Sequence, residues 1–194
     1  MKVTVAKTAG FCMGVRRAVD MVLDASNLSD EAIFTYGPLI HNPQVLKMLE
    51  EKGIHKIESI PEKGSGIVLI RAHGVPPEDE KALEDAGFTV INATCPRVVR
   101  VQVIINKYAK KGYSTVIIGE KKHPEVVGLL GYAQGRGHAV TSMEAFGSLP
   151  RFEKAVVVAQ TTQNTAFWDE IKAWCSTHAP EYKLFNTICG STEK

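Results

Sequence analysis

An α/β fold, built of repeated three-layer units with mostly parallel sheets, is predicted for these 194 residues by three observations. Short β-branched runs recur along the chain, each followed by a turn and then by apolar residues at helical spacing. Cysteine and histidine fall at the carboxyl ends of those runs, and two of the runs end in the same pattern. The first strand is read at Val3 to Ala6, before Gly10, and the apolar positions from Val15 to Ala25 repeat as one helical face. Strands follow at Ala32 to Thr35 and Ile67 to Ile70, with helices at Gln44 to Lys52 and Glu78 to Ala86 after them. Thr89 to Ile91 leads into a helix at Val98 to Lys110, and Thr115 to Ile118 into one at Glu125 to Tyr132. A weaker strand is placed at His138 to Thr141, then a strong one at Ala155 to Val158, a helix at Thr165 to Thr177 and a last strand at Lys183 to Phe185. Gly53, Gly87 and Gly112 stand where helix ends want a left-handed residue.

Composition bounds the function. Hydrophobic residues at 44% and charged residues at 23% are globular values. Lys plus Arg is 23 against 21 for Asp plus Glu, a formal charge of +2, so no basic field of the nucleic-acid-binding kind is expected. The opening Met-Lys-Val-Thr-Val-Ala-Lys has no apolar stretch behind its charge, which excludes a signal peptide, and no run of eighteen apolar residues predicts a membrane span. The expectation is a cytoplasmic protein whose four cysteines are core residues, catalysts or metal ligands rather than a disulfide scaffold.

An internal repeat organises the chain. Thr-Val-Ile-Asn-Ala-Thr-Cys ends at Cys95 and Lys-Leu-Phe-Asn-Thr-Ile-Cys at Cys189, each with Asn three residues before the thiol, and Cys12 also follows a strand. Two equivalent units are expected, 1–95 carrying Cys12, His41, His73 and Cys95, and 96–189 carrying His123, Glu125 and Thr161. Residues 190–194 would begin a third unit, which makes the sequence the front part of a longer protein in this reading.

In open parallel sheets ligands bind beyond the carboxyl ends of the strands, where helix N-termini carry positive partial charge. In order, those ends hold Cys12, His41, His73, Cys95, His123, Gln160 with Thr161, and Cys189. Cys175 differs: with Phe167, Trp168, Ile171 and Trp174 it makes a helical stripe that faces a core. Cys12, Cys95 and Cys189 share one topological position, and three converging thiolates require a cation or a cluster. Zinc with three cysteines and a histidine is one option, although no Cys-x-x-Cys pair occurs. An iron-sulfur cluster tolerates wide spacing, and three ligands on a four-iron cluster leave one iron open as a Lewis acid.

His55, His138 and His178 fall at helix ends or in loops and are read as solvated. His41, His73 and His123 are each followed by proline within three residues and then by a helix, a placement that sets several imidazole donors around one anion such as a diphosphate. The glycines form neither a Walker loop nor a dinucleotide fingerprint. Glu125, in His-Pro-Glu-Val-Val-Gly, either stabilises its helix dipole or delivers protons inside the pocket through Thr161 or Thr162.

Gly-Phe-Cys-Met-Gly-Val around Cys12, Leu-Ile-His-Asn around His41, Ala-His-Gly-Val around His73, Ala-Thr-Cys-Pro around Cys95, His-Pro-Glu-Val around His123, Gln-Thr-Thr at Gln160 and Thr-Ile-Cys at Cys189 occur in this order from end to end. In these segments the sequence resembles the 4-hydroxy-3-methylbut-2-enyl diphosphate reductases of the non-mevalonate isoprenoid pathway. The resemblance implies a pseudo-threefold trefoil of α/β units around a 4Fe-4S cluster held by Cys12, Cys95 and Cys189. It further implies substrate contacts from His41, His73 and His123, a proton donor at Glu125 with Thr161 in its relay, and ferredoxin or flavodoxin as electron donor. The product would be isopentenyl or dimethylallyl diphosphate. The family's third unit supplies further diphosphate contacts that have no counterpart in this sequence, so impaired catalysis is expected of this stretch alone. Two rival readings remain at this stage: a cofactor-independent racemase-like enzyme using two thiols, which leaves Cys189 and the histidines unexplained, and a non-catalytic anion- or zinc-binding module.

Overall fold

The computed structural model describes residues 3–4 and 9–191. Helix α1 (Met13–Leu28) precedes a parallel sheet of β1 (Ile33–Tyr36), β2 (His55–Ile57), β3 (Ile67–Ile70) and β4 (Thr89–Asn92), connected through α2 (Pro43–Glu51) and α3 (Pro77–Asp85). Helix α4 (Pro96–Ala109) leads into a second parallel sheet of β5 (Ser114–Ile118), β6 (Gly137–Val140), β7 (Ala155–Ala159) and β8 (Lys183–Phe185), connected through α5 (Pro124–Gly131), α6 (Met143–Gly147) and α7 (Thr165–His178). The spatial orders are β2-β1-β3-β4 and β6-β5-β7-β8, the same sequence of steps twice. Each order turns back on itself at the middle pair of strands, the place where parallel sheets open a crevice at their carboxyl edge.

Burial on both faces explains the composition of the central strands. Ile67–Ile70 and Ala155–Ala159 are buried at every residue, which requires continuous apolar runs rather than alternation. One face of the first sheet packs on α1 and α2 through Ala18, Val22 and Leu49, with Leu39 of the connection after β1, and the other on Leu83 of α3. The second sheet is covered by Val101, Ile105 and Leu129 of α4 and α5 on one side and by Trp168, Ile171 and Cys175 of α7 on the other. The two halves meet where α3 and α5 adjoin, and glycine permits the approach. A Cβ on Gly131 would lie 2.7 Å from that of Pro76, and one on Gly128 3.3 Å from the backbone of Gly74 and Val75.

The repeat seen in the sequence is a repeat of hydrogen bonds. Asn92 Oδ1 accepts from Thr94 N–H at 3.0 Å, and Asn186 Oδ1 accepts from Ile188 N–H at 3.1 Å, so the same Asx turn leads into each cysteine. Cys95 N–H then donates to Ala72 O at 2.9 Å, and Cys189 N–H to Thr161 O at 2.7 Å. Gly37 N–H to Ile57 O and Gly119 N–H to Val140 O, both 2.8 Å, close the matching turns after β1 and β5. Gly53, Gly87 and Gly112 have φ of +78°, +106° and +80°, the left-handed helix ends that the sequence predicts.

Several expectations need correction. The strand placed at Val3 to Ala6 includes Val5 and Ala6, which lie outside the described residues. Strand β2 and helix α6 have no counterpart in the sequence reading, because three residues and five residues are too short to show a period. His55 lies in β2, not at a helix end, though it is exposed. His138 lies in β6, half-buried, its ring 4.9 Å from that of Phe152, so it packs rather than floats in a loop. His178 is exposed but stacks on Trp174 at 4.7 Å between ring centres. Cys175 is a core residue, 1% exposed, and burial pushes its thiol up to about 11.

Candidate functional site

The carboxyl edges of both sheets deliver their side chains to one cleft. Its volume is about 150 Å³, and Cys12, Cys95, Cys189, His73, His123, Glu125 and Thr161 all line it. Roomier pockets exist, about 280 Å³ beside Trp174 and about 330 Å³ beside β2, but neither gathers cysteines, histidines and a buried carboxyl group. Chemistry therefore selects the smaller cleft over the larger ones.

Cys12 and Cys95 are the N-cap residues of α1 and α4. Their carbonyls accept the first helical bonds, from Arg16 N–H and Val99 N–H, both 3.0 Å, while neither thiol is spent on capping. Each sulfur therefore stands at the positive end of a helix, a setting that favours the negative charge of a metal-bound thiolate. Cys189 reaches the cleft through its bond to Thr161 O, in the register that Cys95 has with Ala72. Gly14, in the first turn of α1, lies so near Cys95 Sγ that any Cβ there would collide with it. Among the described residues the three sulfurs do not form a group tight enough to share one ion. A tetrahedral zinc site on these three sulfurs would require such a group.

His41, His73 and His123 come together as the sequence predicts. Their ring centres are 4.5, 5.6 and 6.0 Å apart, and one nitrogen from each lies within 4.8 Å of the others. Such a triad suits either a divalent ion or an anion, and the fold fixes one nitrogen of His123. Its Nδ1 accepts from Glu125 N–H at 3.1 Å, which places the ring proton of the neutral form on Nε2. In that tautomer His123 offers the cleft a donor at Nε2. Helices α2 and α5 start beside His41 and His123 and add their own positive ends.

Burial, followed by the charges of His41, His123 and Arg71, lowers His73 to about 3. Among the described residues its Nδ1 is buried without a hydrogen-bond partner. His123 is also lowered, first by burial and then by His41. His73 and His123 thus favour the neutral form until negative charge arrives to favour protonation. Because folding depresses the pKa of His73 below its unfolded value near 6.5, its stabilising effect is complete above that value and is lost as pH falls toward 3. The urea midpoint should decline through that window, and His73→Gln should flatten the decline by up to one proton, about 1.4 kcal/mol per pH unit. Parallel slopes for the two proteins would show that His73 does not titrate this way.

Glu125 is 2% exposed, at the first turn of α5. Its Oε1 accepts from Thr161 N–H at 2.6 Å and its Oε2 from the Thr161 hydroxyl at 2.7 Å. Burial raises its pKa, and the two bonds from Thr161 pull the other way. Of the two hydroxyls left open by the sequence, Thr161 is the partner, whereas Thr162 accepts from Gln160 Nε2 at 2.8 Å. Thr161 is a junction: it binds both carboxyl oxygens, and its carbonyl holds the backbone of Cys189.

Arg71 is the residue that the sequence reading overlooked. It is half-buried, donates from Nε to Gly74 O at 3.4 Å, and its charge lowers both His73 and His123. Gly37, at φ +70°, leaves the space its guanidinium fills. The available signal was a cation two residues before a strand-end histidine, in Ile-Arg-Ala-His.

Residues 3–194 match the family described as LytB protein. The 4-hydroxy-3-methylbut-2-enyl diphosphate reductase of Caldanaerobacter subterraneus subsp. tengcongensis is 42% identical over 199 residues, covering 100% of this chain and 69% of that protein. A solved structure of (E)-4-hydroxy-3-methyl-but-2-enyl diphosphate reductase, the terminal enzyme of the non-mevalonate pathway, superposes with a TM-score of 0.88 at 40% identity, covering 98% of this chain and 69% of that one. The E-1-hydroxy-2-methyl-but-2-enyl-4-diphosphate reductase from Plasmodium falciparum superposes with a TM-score of 0.86 at 30% identity, covering 96% of this chain and 60% of that one.

Proposed function

Since the chain belongs to the LytB protein family, we propose that it serves the reductive dehydroxylation of (E)-4-hydroxy-3-methylbut-2-enyl diphosphate to isopentenyl and dimethylallyl diphosphate. The balance is an alcohol carbon plus two electrons and two protons giving a C–H bond and water. The observation that carries the reading is Glu125, a buried carboxyl group bonded twice to Thr161 in the cleft that also gathers three cysteines, His73 and His123, with the His41 ring 4.5 Å from that of His73. A two-thiol racemase has no use for that assembly, and a passive binding module has no use for a carboxyl group buried at this cost.

In this reading Cys12, Cys95 and Cys189 hold a 4Fe-4S cluster, which when bound supplies electrons one at a time and an iron without a protein ligand. His41, His73 and His123 bind the diphosphate, with Arg71 behind them adding positive charge. They fix the distance between the phosphate end and the hydroxyl end of the substrate, so the allylic alcohol is oriented before any bond breaks. Glu125, kept protonated more readily by burial, is the proton store, and the Thr161 hydroxyl passes a proton from Oε2 toward the leaving oxygen. Val98 and Ala72 line the same cleft and limit water there. Residues 1–95 and 96–189 contribute as two units, the first with the triad's His41 and His73, the second with His123 and the proton path. Electrons come from a ferredoxin or flavodoxin, and the setting we infer is the cytoplasm; no helix among the described residues is long and apolar enough to cross a membrane.

The test is anaerobic preparation followed by an absorption spectrum, iron and sulfide assays, and turnover driven by a reduced viologen dye. A brown protein with about four irons per chain and both C5 diphosphates as products is expected. A protein that stays colourless after reconstitution refutes the cluster, and a brown protein that releases neither product refutes the reaction. The chain spans about two thirds of the length of its reductase relatives, 69% and 68% for two of them, so turnover is compared per iron rather than per mass.

A further inference from the structure

The cluster-binding end of the molecule carries a patch that the reaction does not use. Helix α4 begins at Cys95, and its outward face presents Val99, Arg100, Val103, Lys107 and Lys110, all exposed, while Arg97 in its first turn lines the cleft. The helix contains no acidic residue, in a chain with 21 of them. Among the described residues none of these cations forms an ion pair. Alongside it lies the start of α1, because Gly14 abuts Cys95 and Arg17 Nη1 donates to Thr94 O at 3.3 Å. That start exposes Phe11, Met13 and Arg16, and Arg16 Nη2 reaches back to 3.9 Å from where a side chain on Gly10 would begin. Asp20, four residues on and also exposed, shares the face of Arg16 on α1, but among the described residues the two form no ion pair. Cationic and apolar side chains therefore ring the rim beside Cys12, which is itself exposed.

From this juxtaposition we infer that the face formed by the first turn of α1 and the outer side of α4 is the docking surface for an acidic electron-transfer protein. The inference rests on the reading of the three cysteines as cluster ligands. Charge complementarity commits the occupant: unpaired arginines steer and orient an acidic partner, and the exposed valines and aromatic ring supply a small dry centre. Position supports it as well. Arg100 is five residues from Cys95, about 7.5 Å along the helix, so a partner held by it stands close to the sulfur. Two such encounters deliver the two electrons, each oxidising one reduced donor, and the protons come through Glu125. A modest, polar-rimmed patch suits a transient redox encounter, which must release its partner between electrons.

The experiment titrates the reconstituted chain with an acidic plant-type 2Fe-2S ferredoxin by calorimetry at low and high salt, using wild type, Arg16→Glu with Arg100→Glu, and Arg100→Lys. Binding should weaken at least about tenfold in the double charge reversal and with added salt, and survive in Arg100→Lys. Turnover driven by ferredoxin should fall in parallel, while turnover driven by the viologen dye stays within about twofold. Wild-type affinity in the double variant, or no salt-sensitive binding by the wild type, overturns the docking surface. Sedimentation that shows these substitutions breaking a dimer overturns it too, by assigning the face to a second copy. Failure of the dye-driven reaction would instead count against the proposed function, and the calorimetry would still decide the surface.

Discussion

Glu125→Gln should lower turnover by about 10²- to 10⁴-fold and leave the brown colour and the iron content unchanged. The substitution keeps the shape: the amide oxygen still accepts from Thr161 N–H, and the amide nitrogen faces a hydroxyl that can turn to accept from it. What is lost is the proton. The carboxyl group is 2% exposed, and burial raises its pKa against the two bonds from Thr161, so it gives up its proton at a higher pH than a surface glutamate would. The same shift fixes the sign of a stability effect. Folding raises this pKa, so the contribution is complete at low pH and fades as pH rises through the folded value, opposite to the effect of His73. Stopped-flow measurement of product release with a prereduced enzyme is the check. A rate within about threefold of wild type removes Glu125 from the proton path, whereas a colourless variant would mean that the change had disturbed the fold instead.

Most of the fold is legible in the sequence because both sheets are parallel and covered on both faces. That burial forces continuous runs such as Ile67–Ile70 and Ala155–Ala159, whose pattern is hard to mistake, and glycine closes α2, α3 and α4 in the left-handed region. The edges are less legible. His55–Ile57 has one neighbour in the sheet and mostly exposed side chains, so nothing in its composition marks it as a strand. Helix α6 is a single turn held by the Ser142 cap, too short for a hydrophobic period. In the site, the residue types and their order along the chain were enough to place cysteines and histidines at strand ends, since parallel strands put all those ends on one edge. Partnerships were not readable. Which of two adjacent threonines meets Glu125 depends on the backbone turn after β7, and the tautomer of His123 depends on a bond to a backbone N–H two residues on. Arg71 escaped notice because its position against Gly37 is a contact between β3 and the end of β1, which no spacing along the sequence reveals.

Gly14→Ala should strip the cluster without unfolding the chain. Alanine is a better helix former than glycine, and Gly14 stands at the second position of α1, so secondary structure and urea midpoint should hold. The new methyl group, however, has nowhere to go. Its carbon would sit 3.1 Å from Cys95 Cβ and collide with Cys95 Sγ, and neither backbone is free to yield. Cys95 is pinned by its N–H bond to Ala72 O at 2.9 Å and by Pro96 at the start of α4, while α1 is tied to the strand before Cys95 by Arg17. The strain therefore falls on the softest coordinate, rotation of the thiol away from α1. A sulfur turned aside leaves two cysteines where three are needed, and a cluster held by two ligands dissociates readily. Iron and sulfide per chain, and with them turnover, should drop more than about tenfold, with circular dichroism unchanged. The contrast with Glu125→Gln is diagnostic: one variant is brown and inactive, the other folded and pale. A Gly14→Ala protein that binds wild-type amounts of iron would mean that Cys95 does not hold metal from beside α1, and the arrangement of the three thiols would have to be redrawn.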